Sequence, residues 1–268
     1  MNPQQPIGVL DSGFGGLSVW RSLVEAMPSE SFLYAADSRC IPWGDKTDDE
    51  IGRRVDVLVS HLMGMNIKAL VLACNTATMV TMKRLAAELP VPVFGMTPAV
   101  ARTLEASATK NIGVMGTMKT VTSGTYQDVK AAVLAANPGA RIHDCGCPGL
   151  MECVEAGRFD TPETRELVRT KAAPLVRLGV DAVAIACTHY PFLMDALMSA
   201  FPAGTVFIDP APEVAAHCRA VLDEKGMLVP EGRHPRHRFF STKTGDDLDG
   251  ILRILTGLED ARFEPIEG

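Results

Sequence analysis

The sequence predicts an α/β protein made of two similar, pseudo-symmetric α/β domains with mostly parallel sheets. Three observations predict it. Short apolar, β-like runs alternate with longer amphipathic stretches, the rhythm of a parallel sheet covered by helices. The rhythm also starts twice. "NIGVMGT" repeats the pattern of "PIGVLDS" 105 residues on (Pro6 to Asn111), and "DAVAIACTH" repeats "KALVLACNT" 113 residues on (Lys68 to Asp181). Finally, two apolar runs in separate halves, "LVLACNTAT" and "VAIACTHYP", both stop at Ala-Cys and then turn polar.

Taken in order, "IGVLDS" reads as a strand and "LSVWRSLVEAM" as the helix after it; "SFLYAAD" is the next strand. "DDEIGRRVDVLVSHLMGM" is an amphipathic helix, since Ile51, Val55, Leu58, Val59 and Leu62 recur at helical spacing. "IKALVLAC" is a buried strand, "TATMVTMKRLAAEL" a helix and "VPVFGM" a strand. In the second half "NIGVMGT" and "DAVAIACTH" are strands, and "TVFIDPA" is a strand ending in Asp-Pro. "PEVAAHCRAVLDEKG" reads as a helix stopped by Gly226, and "HRFFSTKTGD" as an edge strand. The expected domains are residues 1–97 together with a returning segment 210–268, and residues 98–209. The ligand cleft is expected between them.

Of the 268 residues, 47% are apolar and 22% charged, ordinary for a globular protein. A net charge of −6 argues against nucleic acid or an anionic membrane as the main partner, yet permits a small anion held by backbone dipoles. "MNPQQP" has no positive charge and no apolar run reaches spanning length, so the expected location is the cytoplasm. Seven cysteines, an odd number without a secretion signal, favour thiols over a disulfide framework. Cys145, Cys147 and Cys153 cluster in "DCGCPGLMEC", but a zinc centre needs a fourth ligand at regular spacing and His143 is the only near candidate. No metal site is expected.

In open α/β sheets ligands bind beyond the carboxyl ends of the strands. Asp11-Ser12-Gly13, Cys74-Asn75-Thr76, Gly116-Thr117 and Cys187-Thr188-His189 all fall at that edge. A lone cysteine after an apolar run is most often a small buried hydrophobe. Two at matching strand ends, each followed by amide or hydroxyl residues, point to function. "DSGFGGLS" matches neither dinucleotide nor phosphate-loop glycine patterns, but its backbone N–H groups suit a carboxylate. Asp11 reads either as a helix cap or as a carboxylate acting on a thiol. His189 reads either as a structural histidine or as support for a thiolate. Nucleophilic catalysis has no use for a second thiol, and a redox dithiol prefers a C-x-x-C spacing. Proton transfer at a stereocentre needs two like groups on opposite faces, which matched cysteines supply.

At these residues the chain resembles the cofactor-independent aspartate/glutamate racemase superfamily. The matching segments are "IGVLDSGFGGLSV", "ACNTAT", "IGVMGTMKTVTSGTY", "CPGLMECVEAG", "ACTHYPFL" and "IDPA", in order from Ile7 to Ala211. The resemblance implies a glutamate racemase needing no cofactor and no metal, whose small-molecule substrate is L- or D-glutamate and whose product supplies peptidoglycan. It implies Cys74 and Cys187 as the two acid/bases, with Asp11 near Cys74, and Glu155 and His189 supporting Cys187. Ser12, Asn75, Thr76, Thr117, Thr188 and the segment Pro42-Trp43-Gly44 would join Asp11 and His189 around the substrate. The family's usual Pro-Tyr-Gly is Pro-Trp-Gly here, so a backbone contact survives and a tyrosine hydroxyl does not. Relatives activated by a cell-wall precursor carry a longer N-terminal extension. Six residues precede Ile7, so no such dependence is expected. The oligomeric state stays open, a homodimer among the options. Aspartate racemase is the nearest alternative, because one methylene separates the substrates. A non-catalytic binder of an acidic ligand needs neither cysteine, and a thiol hydrolase needs one.

Overall fold

The computed structural model describes residues 2–267. The chain runs through β1 (Ile7–Asp11), α1 (Leu17–Ala26), β2 (Phe32–Ala36), α2 (Asp48–Gly64), β3 (Ala69–Leu72), α3 (Asn75–Glu88) and β4 (Val93–Gly95). It continues with α4 (Val100–Ala106), β5 (Asn111–Gly116), α5 (Met118–Thr122), α6 (Gly124–Ala136), β6 (Arg141–Gly146), α7 (Leu150–Glu155), α8 (Pro162–Arg177), β7 (Ala182–Ala186), α9 (Met194–Ala200) and β8 (Val206–Ile208). α10 (Ala211–Glu224), β9 (Arg238–Ser241), α11 (Asp246–Thr256) and β10 (Phe263–Pro265) complete it. Two compact units result, Met1–Met96 with Ala211–Gly268, and Thr97–Pro210.

The first unit holds a six-stranded sheet in the order β10-β9-β2-β1-β3-β4, and every pairing in it is parallel. β1, β2 and β3 are buried along their whole length, as strands covered on both faces must be. α2 begins at a capping box: Thr47 accepts from the Glu50 amide while the Glu50 carboxylate accepts from the Thr47 amide. Its Ile51, Val55, Leu58, Val59 and Leu62 join Leu10, Leu70 and Leu72 in one core. α10 gives way to Gly226 at φ 62, a left-handed conformation that ends a helix without Cβ strain.

One expectation is corrected here. "HRFFSTKTGD" contains β9, which is internal: it pairs with β2 on one side and with β10 on the other. β10, only three residues long, forms the edge, and so short an apolar-polar-proline run carries no periodic signal.

The second unit holds a four-stranded, all-parallel sheet in the order β6-β5-β7-β8. β3 pairs with β1, the first strand of its unit, and β7 pairs with β5, the first strand of the other. Each unit therefore repeats one arrangement in which a cysteine follows shortly after an inner strand, Cys74 after β3 and Cys187 after β7. No helix among the described residues is long and apolar enough to cross a membrane.

Candidate active site

In the first unit the backbone amide of Ala73 donates to the Leu10 carbonyl at 2.8 Å, so Asp11 and Cys74 leave neighbouring strand ends together. Asp11 is fully buried, and its Oδ1 accepts from the Ser12 hydroxyl at 3.1 Å and the Gly13 amide at 3.0 Å. Tyr34 Oη donates to the Gly13 carbonyl at 2.6 Å and fixes the glycine turn from behind. A Cβ on Gly16 would lie 2.6 Å from Asp11 Cβ, so only glycine lets α1 start against the carboxylate.

Cys74 caps α3. Its Sγ accepts from the Ala77 amide at 3.5 Å, and a helix N-terminus favours a thiolate. The Thr78 hydroxyl donates to the Cys74 carbonyl at 2.9 Å and accepts from the Met96 amide at 3.1 Å, which ties this turn to the strand beside it. Asn75 is 3% exposed, and neither its Oδ1 nor its Nδ2 has a hydrogen-bond partner among the described residues. A buried amide left unpaired costs stability, and this one lies at the carboxyl edge of the sheet next to Cys74. Thr76 and Ser12 are buried at the same edge.

In the second unit β7 ends at Ala186, and Cys187 follows it, then buried Thr188 and His189. Cys187 Sγ lies 3.7 Å from His189 Nδ1, and His189 Nε2 lies 2.7 Å from Glu155 Oε1. Burial opposes a charged imidazole, but the hydrogen bonds to Cys187 and Glu155 outweigh it and raise His189 well above its ordinary value. Glu155 is the last residue of α7, which starts after Gly149 at φ 94. Thiol, imidazole and carboxylate thus lie in contact one after another.

Thr117 caps α5, its Oγ1 accepting from the Thr120 amide at 3.1 Å, and is half-buried. In Pro42-Trp43-Gly44 the Ile41-Pro42 bond is cis, and buried Trp43 donates its indole N–H to Asp37 Oδ2 at 3.1 Å. Sequence reasoning missed that anchor. Asp37 also takes two hydrogen bonds from Arg54, at 2.8 and 2.6 Å, and one from Thr242 at 2.9 Å. It missed Tyr190 too, whose hydroxyl donates to the carbonyls of Gly116 at 3.2 Å and Cys147 at 3.3 Å. The tell-tale for both was an aromatic beside a motif, a weak signal on its own. His143 is engaged with Asn111 at 2.8 Å, and the described residues contain no group of three or more His, Cys, Asp or Glu arranged to hold a metal.

A family model for Asp/Glu/hydantoin racemase matches residues 7–218. The chain belongs to that family. Among curated members, a glutamate racemase of Ectopseudomonas mendocina (strain ymp) is 38% identical over 257 residues, covering 95% of each chain. The crystal structure of a glutamate racemase isoform from Bacillus anthracis superposes with a TM-score of 0.87 at 31% identity, covering 98% of this chain and 97% of that one. A glutamate racemase from Escherichia coli, solved with L-glutamate and the activator UDP-MurNAc-Ala, superposes with a TM-score of 0.86 at 25% identity over 98% of this chain and all (100%) of that one. Membership in the racemase family covers both cysteine-ended strands, since Cys74 and Cys187 lie within the matched residues.

Proposed function

We propose that this protein is a glutamate racemase that interconverts L- and D-glutamate by two-base proton transfer at Cα. The observation that carries the reading is the matched placement of Cys74 and Cys187, each just beyond the strand that pairs with the first strand of its unit. A thiolate on one takes the Cα proton, and the thiol of the other gives a proton to the opposite face. After one turnover the protonation states are exchanged, which is the state the reverse reaction requires. Each direction therefore needs both groups.

The residues around each thiol have distinct work. The Asn75 amide, with the Ser12, Thr76 and Thr188 hydroxyls, supplies donors to the substrate carboxylates and to the charge that develops as Cα loses its proton. Asp11 acts on the Cys74 side and the Glu155–His189 pair on the Cys187 side. An imidazolium next to Cys187 stabilises its thiolate and, held by Glu155, keeps its ring nitrogen on the sulfur. The Pro42–Gly44 segment and Thr117 border the substrate. The product is D-glutamate for peptidoglycan, made in the cytoplasm.

The test follows the circular dichroism of L-glutamate and, separately, D-glutamate with purified protein and no added cofactor. Decay of both signals to zero supports the reading. Two inert glutamate enantiomers with a decaying aspartate signal would move the substrate one methylene shorter, and inertness towards both would leave a binding protein.

A further inference from the structure

Outside the proposed site, one pair of nucleophilic side chains stands out. Cys145 Sγ and Cys147 Sγ are 3.6 Å apart, on the strand end that leads into α7. Alternate residues of a strand share a face, and here that alternation is enforced from the other side. A Cβ on Gly146 would sit 2.0 Å from Met118 Sδ, so the strand turns its bare glycine to α5 and both cysteines away from it. Cys145 is half-buried and its thiol reaches the Lys171 carbonyl on α8 at 3.4 Å. Cys147 is buried in the same apolar cluster as Cys187 and Tyr190.

The two thiols are chemically unequal. The hydrogen bond from Cys147 lowers Cys145 below the ordinary thiol value, and the Lys171 charge helps. The same contact, reinforced by burial, raises Cys147. The more accessible sulfur is thus the better thiolate, and the buried one is within reach to resolve it.

We propose that Cys145 and Cys147 form a reversible disulfide that acts as a redox brake on the site at Cys187. The oxidant is a low-molecular-weight disulfide. The Cys145 thiolate attacks one of its sulfurs, forming a mixed disulfide and releasing one small thiolate. Cys147 gives up its proton and attacks the Cys145 sulfur, releasing the second. Two protein thiols are oxidised and one small disulfide is reduced to two thiols.

The link to turnover is short. The Cys147 amide donates to the Gly116 carbonyl at 2.9 Å, and the Cys147 carbonyl accepts from Tyr190, the residue after His189. Pro148 and Gly149 then lead into α7 and Glu155. Drawing the two sulfurs from 3.6 Å to bonding distance of about 2 Å shifts the root of the segment that aims Glu155 at His189. The effect on turnover rests on the racemase reading; the disulfide itself does not.

The experiment equilibrates the full protein in oxidised and reduced glutathione, alkylates remaining thiols, and maps the tryptic segment from Ile142 to Arg158. The expected result is a segment with Cys153 alkylated and Cys145 and Cys147 joined, reversed by dithiothreitol. Racemisation falls on the order of tenfold in step with it. Cys145→Ser, and Cys145→Ala as a second variant, keep the reduced turnover and lose the sensitivity. A single glutathione on Cys145 with Cys147 still alkylated overturns the proposal. So does an equal loss of activity in the Cys145 variants, which would place the sensitive thiol elsewhere. Because mapping reads sulfur alone, a protein inert towards glutamate that still forms the bond upholds the thiol pair and overturns the racemase reading.

Discussion

Glu155 and His189, 34 residues apart in sequence, share a 2.7 Å hydrogen bond that leaves the other ring nitrogen facing Cys187. Both side chains are nearly out of solvent, 8% and 3% exposed, so the contact is not diluted as a surface ion pair is. On the proposed reading Glu155 is a positioning residue that acts on Cys187 through His189.

Glu155→Gln should therefore lower kcat by about tenfold while moving KM little, because the ring loses a charged orienter and keeps a hydrogen-bond acceptor. The alkaline limb of the kcat profile should also move, which a merely structural role would not produce. Steady-state kinetics across pH in both directions checks it.

Cys74→Ser and Cys187→Ser should each reduce kcat by about 10²–10⁴-fold, in both directions, with glutamate binding retained. A hydroxyl keeps the shape but is too weak an acid for the exchange. Calorimetric binding beside turnover separates loss of chemistry from loss of the site.

Gly16→Ala should cost folding about 1–3 kcal/mol and weaken kcat/KM, because the added methyl meets Asp11 Cβ at 2.6 Å and Tyr34 Oη at 2.9 Å. Denaturant unfolding and kinetics on the same preparation read both effects.

Stability should depend on pH through His189. Its folded value is raised, so protonation favours the native state: the contribution is complete below the ordinary value of 6.5 and fades as pH rises through the folded value. Against His189→Asn, the wild-type advantage in denaturation midpoint should be larger near about pH 6 than near about pH 9. An advantage that grows with pH contradicts the imidazolium assignment.

Lys68 offers a control remote from the chemistry. Fully buried, its Nζ donates to both oxygens of Glu30 at 2.7 and 2.6 Å and to the carbonyls of Pro3 at 2.7 Å and Met227 at 2.8 Å. Lys68→Met removes the counter-charge of the buried Glu30 carboxylate, which keeps the Val229 amide at 2.9 Å, and should cost about 3–5 kcal/mol, with kcat of the folded fraction unchanged.

What was legible in the sequence were features that announce themselves locally. β1, β2, β3, β5 and β7 are fully buried, so apolar residues dominate them, and α2 shows its core stripe at helical spacing. β6 was not legible: "RIHDCG" is an edge strand with only Ile142 buried and no apolar run to betray it. The ends of β3 and β7 stood out because apolar runs broke off at the same dipeptide. The partners of those ends did not. Asp37 meets Arg54 across 17 residues, Glu30 meets Lys68 across 38, and Trp43 finds its carboxylate by a turn through a cis proline. Such pairings depend on how the fold turns the chain back on itself, and even Trp43 and Asp37, six residues apart, share no periodicity that marks them as partners.

The most direct test of two-base transfer follows the Cα hydrogen in deuterated water at early conversion. Starting from L-glutamate, D-glutamate should carry deuterium at Cα while recovered L-glutamate stays protiated, and the reverse should hold from D-glutamate. Each face is then served by its own thiol, and solvent enters only with the proton delivered. Deuterium appearing equally in substrate and product, or a D-glutamate that keeps the original hydrogen, would show one base serving both faces and contradict the pairing of Cys74 with Cys187.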